Sequence, residues 1–291
     1  MDRNRKPPVV LAIGGSDPSG GAGIQADLKT IHALGGYAVV ALTAVTVQNT
    51  QGVRETLPLP AGIVRAQIEN VFADVRVGAV KTGMLANEEI VGLLAETLAA
   101  HRLPLVVDPV LASSGGEPLL DETALKPLKE RLLPLATVCT PNWSEAAILA
   151  GHPVETIEDA QRAAERIRRL GPRAVLIKGG HAQGGAPGRP GDSSEAPPVV
   201  DLLLGEEGFQ RFEAPRIAGP SPHGTGCLFG AAIATGLAAG ATLEAAVTIA
   251  KRLVGDSITH SLTIGRGTPV VDPFHTQPTS LLDPAEERKS R

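Results

Sequence analysis

Residues 9–34 read VVLAIGGSDPSGGAGIQADLKTIHAL, and the succession of textures in this stretch sets the architecture. VVLAI (9–13) is a continuous apolar run with the length of a buried strand. GGSDPSGGAG (14–23) is a glycine-rich turn, after which Ile24, Leu28, Ile31 and Leu34 recur at helical spacing. A strand that feeds a helix through a tight turn is one βα unit.

The same texture recurs downstream. YAVVAL (37–42), GAV (78–80), LPLVVD (103–108) and RAVLIK (173–178) predict further buried strands. Ile90, Leu93, Leu94 and Leu98 predict a helix, as do Ala160, Ala163, Ala164 and Ile167. Apolar strands alternating with amphipathic helices imply right-handed βαβ crossovers, hence an α/β fold with a mainly parallel sheet covered on both faces. After residue 198 the pattern changes: VVDLLLGEEGFQRFEAP predicts an antiparallel hairpin at a sheet edge. Two helices are expected beyond it, from about Gly224 to Ala239 and from Leu243 to about Ser261. Nothing in the pattern divides the chain, so one domain over residues 1–274 is expected. Residues 182–198, rich in Gly, Pro and Ser, read as a flexible insertion, and 275–291 as a polar C-terminal tail.

Composition narrows the function. Of 291 residues 43% are hydrophobic but only 2% aromatic, so the core must be built from Ala, Val, Leu and Ile. A net charge of −4 without clustered Lys and Arg argues against nucleic acid as a partner. Two cysteines, Cys139 and Cys227, are too few for a disulfide framework or a zinc cluster. The charged start MDRNRKPP precedes an apolar stretch too short for a signal-peptide core. No run approaches the roughly 20 apolar residues of a membrane span. A cytoplasmic protein with no membrane association is expected.

The first glycine-rich turn invites two nucleotide motifs and satisfies neither. Gly15 and Gly20 have P-loop separation, but Gly21-Ala22 stands where Lys-Ser/Thr is required. Gly21, Gly23 and Ala26 fit a dinucleotide fingerprint, yet they lie within the helical pattern, and residues 40–47 offer no carboxylate for a ribose. A tight turn explains some of the glycines. It leaves Asp17 unexplained, a carboxylate at the C-terminal edge of a strand, where α/β sheets bind ligands.

A second small-residue turn, HGTGC (223–227), opens the helix expected from about Gly224. Amides at a helix N-terminus attract anions, and Gly224 and Gly226 let the backbone approach one closely. The alternative is a loop of small residues that simply starts a helix. A thiol in the first turn, Cys227, is expected to have its pKa lowered by the helix dipole. In TPNWSEA (140–146), Asn142 and Glu145 share one helical face: a capping box, or a hard-cation site with oxygen ligands for Mg²⁺.

GGSDPSGGAGIQADLKT, ALTAVTVQNTQGV, AVKTGML, VVDPVLASSGG, TPNWSEA, LIKGGH and HGTGC occur in that order between about Val9 and Ser261. In combination they closely resemble the hydroxymethylpyrimidine/phosphomethylpyrimidine kinases of thiamine biosynthesis, a branch of the ribokinase-like superfamily. The resemblance implies a doubly wound sheet on whose C-terminal edge ATP and an aminopyrimidine meet. It places Cys227 beside the substrate hydroxymethyl group, with the amides of Gly224, Thr225, Gly226 and Cys227 as an anion hole. It places Gln48 on the pyrimidine ring, with Gly15, Asp17 and Met84 around it. Lys178 and Asn142 fall on the phosphate and nucleotide side, and Glu145 and Asp108 on the Mg²⁺ side. Lys81 and His223 lie in matching stretches. Relatives imply a homodimer.

One departure stands inside the anion hole: Leu228 replaces the usual threonine, and its backbone N–H is expected to supply the missing interaction. Two other functions share these features. A pyridoxal or pyridoxine kinase has the same fold and the same hydroxymethyl acceptor. A non-catalytic pyrimidine-binding protein would need the ring pocket but not the phosphate machinery.

Overall fold

A computed structural model describes residues 6–113, 115–181, 197–219 and 221–275. Most of the 182–198 stretch and almost all of the 275–291 tail lie outside the described residues. The sheet has nine strands in the order β3-β2-β1-β4-β5-β6-β7-β8-β9. They are β1 (Val9–Ser16), β2 (Tyr37–Asn49), β3 (Gly52–Pro58), β4 (Ala79–Thr82), β5 (Leu105–Val107), β6 (Val138–Cys139), β7 (Ala174–Ile177), β8 (Val199–Gly205) and β9 (Gly208–Ala214). The six central strands, β2 to β7 in spatial order, run parallel.

Both edges are antiparallel. The β8–β9 hairpin is the expected one, and β8 also pairs antiparallel with β7. The β2–β3 hairpin at the opposite edge carries no apolar alternation that sequence patterning would catch, since β3 (GVRETLP) is exposed or half-exposed throughout. Strand β2 is far longer than its apolar core YAVVAL, because the segment beyond Val45 pairs only with β3.

Helices cover both faces. On one lie α1 (Gly23–Ala33), α7 (Thr225–Ala238) and α8 (Leu243–Thr259), packed on Val10, Ala12, Val106 and Leu176. On the other lie α2 (Ala61–Asp74), α3 (Glu88–Ala99), α5 (Trp143–Ala150) and α6 (Ile157–Arg168), packed on Leu11, Ile13, Val107 and Val175. A helical run in the same layer contains the single turn α4 (Leu125–Pro127) and continues with a π turn (Leu128–Leu132). Consecutive strand residues thus feed opposite cores, as expected for strands buried on both faces. No helix among the described residues is long and apolar enough to cross a membrane.

Helix α2 escapes the sequence pattern because only Val64 and Ile68 of its 14 residues are buried. The arrangement brings the ends of β1, β4, β5, β6 and β7, and the overhang of β2, to one edge of the sheet, where open α/β folds bind ligands.

Candidate active site

Two clusters of polar side chains stand on that edge, joined by the first turn of α7. The first grows from β1 and β2. Asp17 follows β1, and its Oδ1 accepts from Ser19 N (2.8 Å) and Ser19 Oγ (2.7 Å), while Oδ2 accepts from Ala22 N (2.8 Å). His223 Nε2 lies 3.2 Å from Asp17 Oδ2, and 3.0 Å away is the side-chain amide of Gln48, on the overhang of β2. Burial pushes the Asp17 carboxyl up, but the hydrogen bonds from His223, Ser19 and Ala22 outweigh it and hold the group below the usual range. Asp17 is therefore a carboxylate at neutral pH.

Gly15 and Met84 adjoin this cluster in mutual contact: a Cβ on Gly15 would lie 2.8 Å from Met84 Sδ, so a side chain there would push the thioether aside. Met84 is in turn tied down through its carbonyl, which accepts from Thr43 Oγ1 at 2.6 Å.

The second cluster grows from β5, β6 and β7. Lys178 Nζ donates to Asp108 Oδ1 at 2.7 Å and lies 4.0 Å from Glu145 Oε2. Thr140 Oγ1 donates to the same Asp108 oxygen at 3.1 Å. Burial works to discharge Lys178, but Asp108 and Glu145 hold it firmly charged. Glu145 is pushed up to about 7, chiefly by burial and by the neighbouring Asp108 charge, against the pull of Lys178. Asn142 and Glu145 form a capping box on α5, with Asn142 Oδ1 accepting from Glu145 N and Glu145 Oε2 accepting from Asn142 N. The capping reading of TPNWSEA is therefore real. It leaves a metal ion only those contacts with Glu145 that the cap does not use.

The first turn of α7 connects the two clusters. Gly224 caps the helix at φ 94°, no side chain caps it, and a Cβ there would overlap the carbonyl oxygen of Gly21. Uncapped amides of a 14-residue helix are thereby turned toward the sheet edge. Gly226 lets this turn approach the second cluster, since its Cβ would stand 3.4 Å from Lys178 Nζ and 3.8 Å from Asp108 Oδ2. His223, immediately before the turn, belongs to the first cluster.

Two expectations fail here. The Cys227 thiol is not lowered but pushed up to about 11, chiefly by burial, with Asp27 and Asp108 adding to the rise and Lys81 and the Gly23 amide opposing it. The thiol is half-buried, and the loss of water together with the Asp27 and Asp108 charges outweighs the pull of Lys81. The Leu228 amide does not replace the missing hydroxyl either. It donates to Gly224 O at 2.9 Å as an ordinary helical bond, and the side chain is buried in the core.

Beneath the turn lies an ion pair that the matching stretches did not join. Lys81 at the end of β4 donates to both oxygens of Asp27 on α1, at 2.8 and 2.9 Å, and both side chains are only 1% exposed. Burial pushes Asp27 up to about 6, while Lys81 pulls it down. The available signal was positional: Asp27 sits on the stripe of Ile24 and Ile31, where a charge interrupts the buried face of α1. Thr46, which touches both Ser16 and Gln48, likewise had no signal beyond its place in β2.

A family model described as phosphomethylpyrimidine kinase matches residues 17–272. The chain belongs to the phosphomethylpyrimidine kinase family. It is 46% identical over 266 residues to a hydroxymethylpyrimidine/phosphomethylpyrimidine kinase of Streptomyces coelicolor, covering 91% of this chain and 94% of that one. A Mycobacterium tuberculosis protein of the same name is 45% identical over 270 residues, covering 92% and 94%. Among solved structures, a phosphomethylpyrimidine kinase from Clostridium difficile superposes with a TM-score of 0.73 at 39% identity, covering 86% of this chain and 99% of that one. A pyridoxal kinase from Bacillus subtilis, solved as an ADP complex, superposes with a TM-score of 0.81 at 34% identity, covering 92% and 98%. The fold of the phosphomethylpyrimidine kinase family is thus shared with pyridoxal kinases.

Proposed function

We propose that this protein transfers a phosphoryl group from ATP to 4-amino-5-hydroxymethyl-2-methylpyrimidine, and then to the resulting monophosphate, giving the pyrophosphate used in thiamine diphosphate biosynthesis. The observation that carries this reading is the meeting, across one helical turn, of a polar cluster suited to a ring (Gln48, Asp17, His223) with a charged cluster of one lysine and two carboxyl groups (Lys178 beside Asp108 and Glu145). A pyrimidine-binding protein would need only the first.

In this reading the uncapped amides of Thr225, Gly226 and Cys227 receive the transferring phosphoryl group, where fixed donors need no reorganisation as charge develops. Lys178 exchanges part of its contact with Asp108 for phosphate oxygens. Cys227 faces the acceptor hydroxyl and takes its proton after losing its own, which the raised thiol permits only in a small fraction of molecules at neutral pH. Asn142 lies at the nucleotide side of the same turn.

Mg²⁺ fits the second cluster. Asp108 and Glu145 are hard oxygen donors, and their two charges face one nearby ammonium, Lys178, which leaves a negative balance. Among the described residues no group of three or more His, Cys, Asp or Glu could hold a metal ion. That suits a cation held largely by water and substrate phosphates. When bound, the ion would neutralise phosphate charge, with Glu145 reached through water because its Oε2 is engaged in the α5 cap.

A homodimer acting in the cytoplasm completes the reading. The exposed Val45, Val47 and Leu57 of the β2–β3 hairpin are apolar surface available to a second copy.

The close superposition on pyridoxal kinases favours one second reading, in which pyridoxal is also an acceptor. The deciding experiment measures ATP turnover with the hydroxymethylpyrimidine, its monophosphate and pyridoxal as separate acceptors. Turnover on both pyrimidines at higher kcat/KM than on pyridoxal is expected. Turnover on pyridoxal alone would replace the proposal with the second reading, and no turnover on any of them would leave a binding protein.

A further inference from the structure

The side-chain amide of Gln48 has two ends of nearly equal shape, which the protons of its neighbours distinguish. As placed, the Oε1 end lies 3.1 Å from Thr46 Oγ1 and the Nε2 end 3.0 Å from His223 Nε2, and the neighbours' protons can reverse that assignment. Thr46 has a single hydroxyl proton. Its Oγ1 lies 2.8 Å from the backbone carbonyl of Ser16, which can only accept, so the proton points there. Toward Gln48 the same oxygen offers a lone pair and needs a donor.

At the other end, His223 Nε2 lies 3.2 Å from Asp17 Oδ2, and an ionised carboxylate can only accept. Nε2 therefore carries a proton, in the neutral ring or in the imidazolium alike, and toward Gln48 it needs an acceptor. Both ends give the same answer. Proton accounting thus turns the amide over from its placed orientation, so that the NH₂ faces Thr46 and the carbonyl faces His223, where one N–H is shared between Gln48 and Asp17.

We infer that Thr46 is a specificity-determining positioning residue, which together with His223 sets the order in which Gln48 presents donor and acceptor to a ring. Thr46 is nearly buried, its hydroxyl is anchored on the end of β1, and it stands two residues from Gln48 on the same side of β2. Gln48 itself is half-buried. With one N–H on Thr46 and one lone pair on His223, it retains one N–H on the Thr46 side and one lone pair on the His223 side. A ring edge with a nitrogen lone pair beside an exocyclic amine satisfies both at once. A pyridine ring without that amine satisfies one and leaves the other unmatched, so the order selects aminopyrimidines over pyridoxal-type rings. The inference rests on the pyrimidine kinase reading for its substrate, but not for the order of the amide.

Two measurements test it. Nitrogen-15 NMR of the ligand-free wild-type protein reads the His223 ring directly and needs no turnover. A proton-bearing Nε2 is expected, and an unprotonated Nε2 would reverse the amide and overturn the inference. Thr46→Val removes the hydroxyl at constant shape, so the amide can turn over. The pyrimidine KM should then rise roughly tenfold, the scale of one lost hydrogen bond, with kcat and the ATP KM preserved. Preference for the aminopyrimidine over pyridoxal should fall by the same factor, and Thr46→Ser should restore it. An unchanged preference in Thr46→Val, or an equal loss for both rings, would overturn the inference. If the wild type phosphorylates neither ring, the kinase reading fails, and the NMR result still decides the amide order.

Discussion

Lys81 at the end of β4 and Lys178 just beyond β7 each hold an aspartate, in surroundings that diverge. The Lys81–Asp27 pair is sealed, with both side chains 1% exposed and both carboxylate oxygens engaged. Lys178 is 13% exposed, binds a single oxygen of Asp108 and has a second carboxylate, Glu145, at 4.0 Å. A closed ion pair in a low-dielectric interior has no reason to exchange partners, because separation would strand both charges. A lysine shared between two carboxylates at the rim can turn toward a phosphate and leave them to a metal ion. The same two residue types thus form a sealed pair in one place and, in the proposed reaction, an exchangeable contact in the other. Cys227 lies between them and feels both, since its thiol is influenced by Lys81, Asp27 and Asp108 together.

The strongest way to break this comparison is at Cys227. Cys227→Ala should slow phosphorylation of the alcohol about 10²–10⁴-fold, the scale of general-base catalysis, and slow that of the monophosphate far less, because the helix amides remain. The pH profile sharpens the point. With the thiol pushed up to about 11, the thiolate fraction grows tenfold per pH unit through the neutral range. The wild-type alcohol rate should therefore climb from pH 7 to 9, and the Ala variant should lack that climb. Equal losses with both acceptors would make Cys227 a packing residue.

Exchanging the roles of the two lysines comes next. Lys81→Met leaves Asp27 buried without its partner and should destabilise the protein by about 3–5 kcal/mol in denaturant unfolding. Asp27 already stands near 6 against an ordinary value of 3.8, and without Lys81 it rises further. A carboxyl with a raised folded-state pKa binds its proton more tightly when folded. The variant's deficit relative to wild type should thus be smallest below about pH 4 and grow as the pH climbs through the folded-state value of Asp27. Lys178→Met should do the reverse, preserving most of the stability while lowering kcat by about 10²–10³. Equal stability losses in the two variants would erase the distinction between them.

Glu145→Gln tests the movable side more gently. The Mg²⁺ concentration needed for half-maximal turnover should rise several-fold, with little change in the pyrimidine KM. Because Glu145 ionises near 7, the wild-type requirement should also rise as the pH falls below 7, whereas the Gln variant should show no such dependence. An unchanged requirement would leave the capping box as the only role of Glu145.

The smallest effect lies at the ring cluster, away from both lysines. Gln48→Ala should cost about 1–3 kcal/mol in pyrimidine binding, read as a higher KM for that substrate with the ATP KM unchanged. A parallel rise in both would assign Gln48 to the scaffold.

Short-range features were legible in the chain because they are set by local chemistry. Apolar runs of strand length must be buried and amphipathic spacing must pack one face, so these read directly from residue order. What could not be read were the features whose cause lies far away in sequence. Strand β3 is held by pairing with β2 and not by a buried face, and α2 buries only two side chains. The partner of Lys81 is 54 residues away, that of Lys178 is 70, and His223 reaches Asp17 across 206.

Sequence alone therefore determined the α/β alternation, which follows from the types and spacing of residues, while the groups expected at the sheet edge came from the family resemblance. Only the tertiary structure decided which lysine is sealed and why the Cys227 thiol is raised when its helix position favours a lower value. Each of these depends on the solvent and the charges or protons that neighbours from other elements bring within a few ångströms, and packing alone chooses those neighbours.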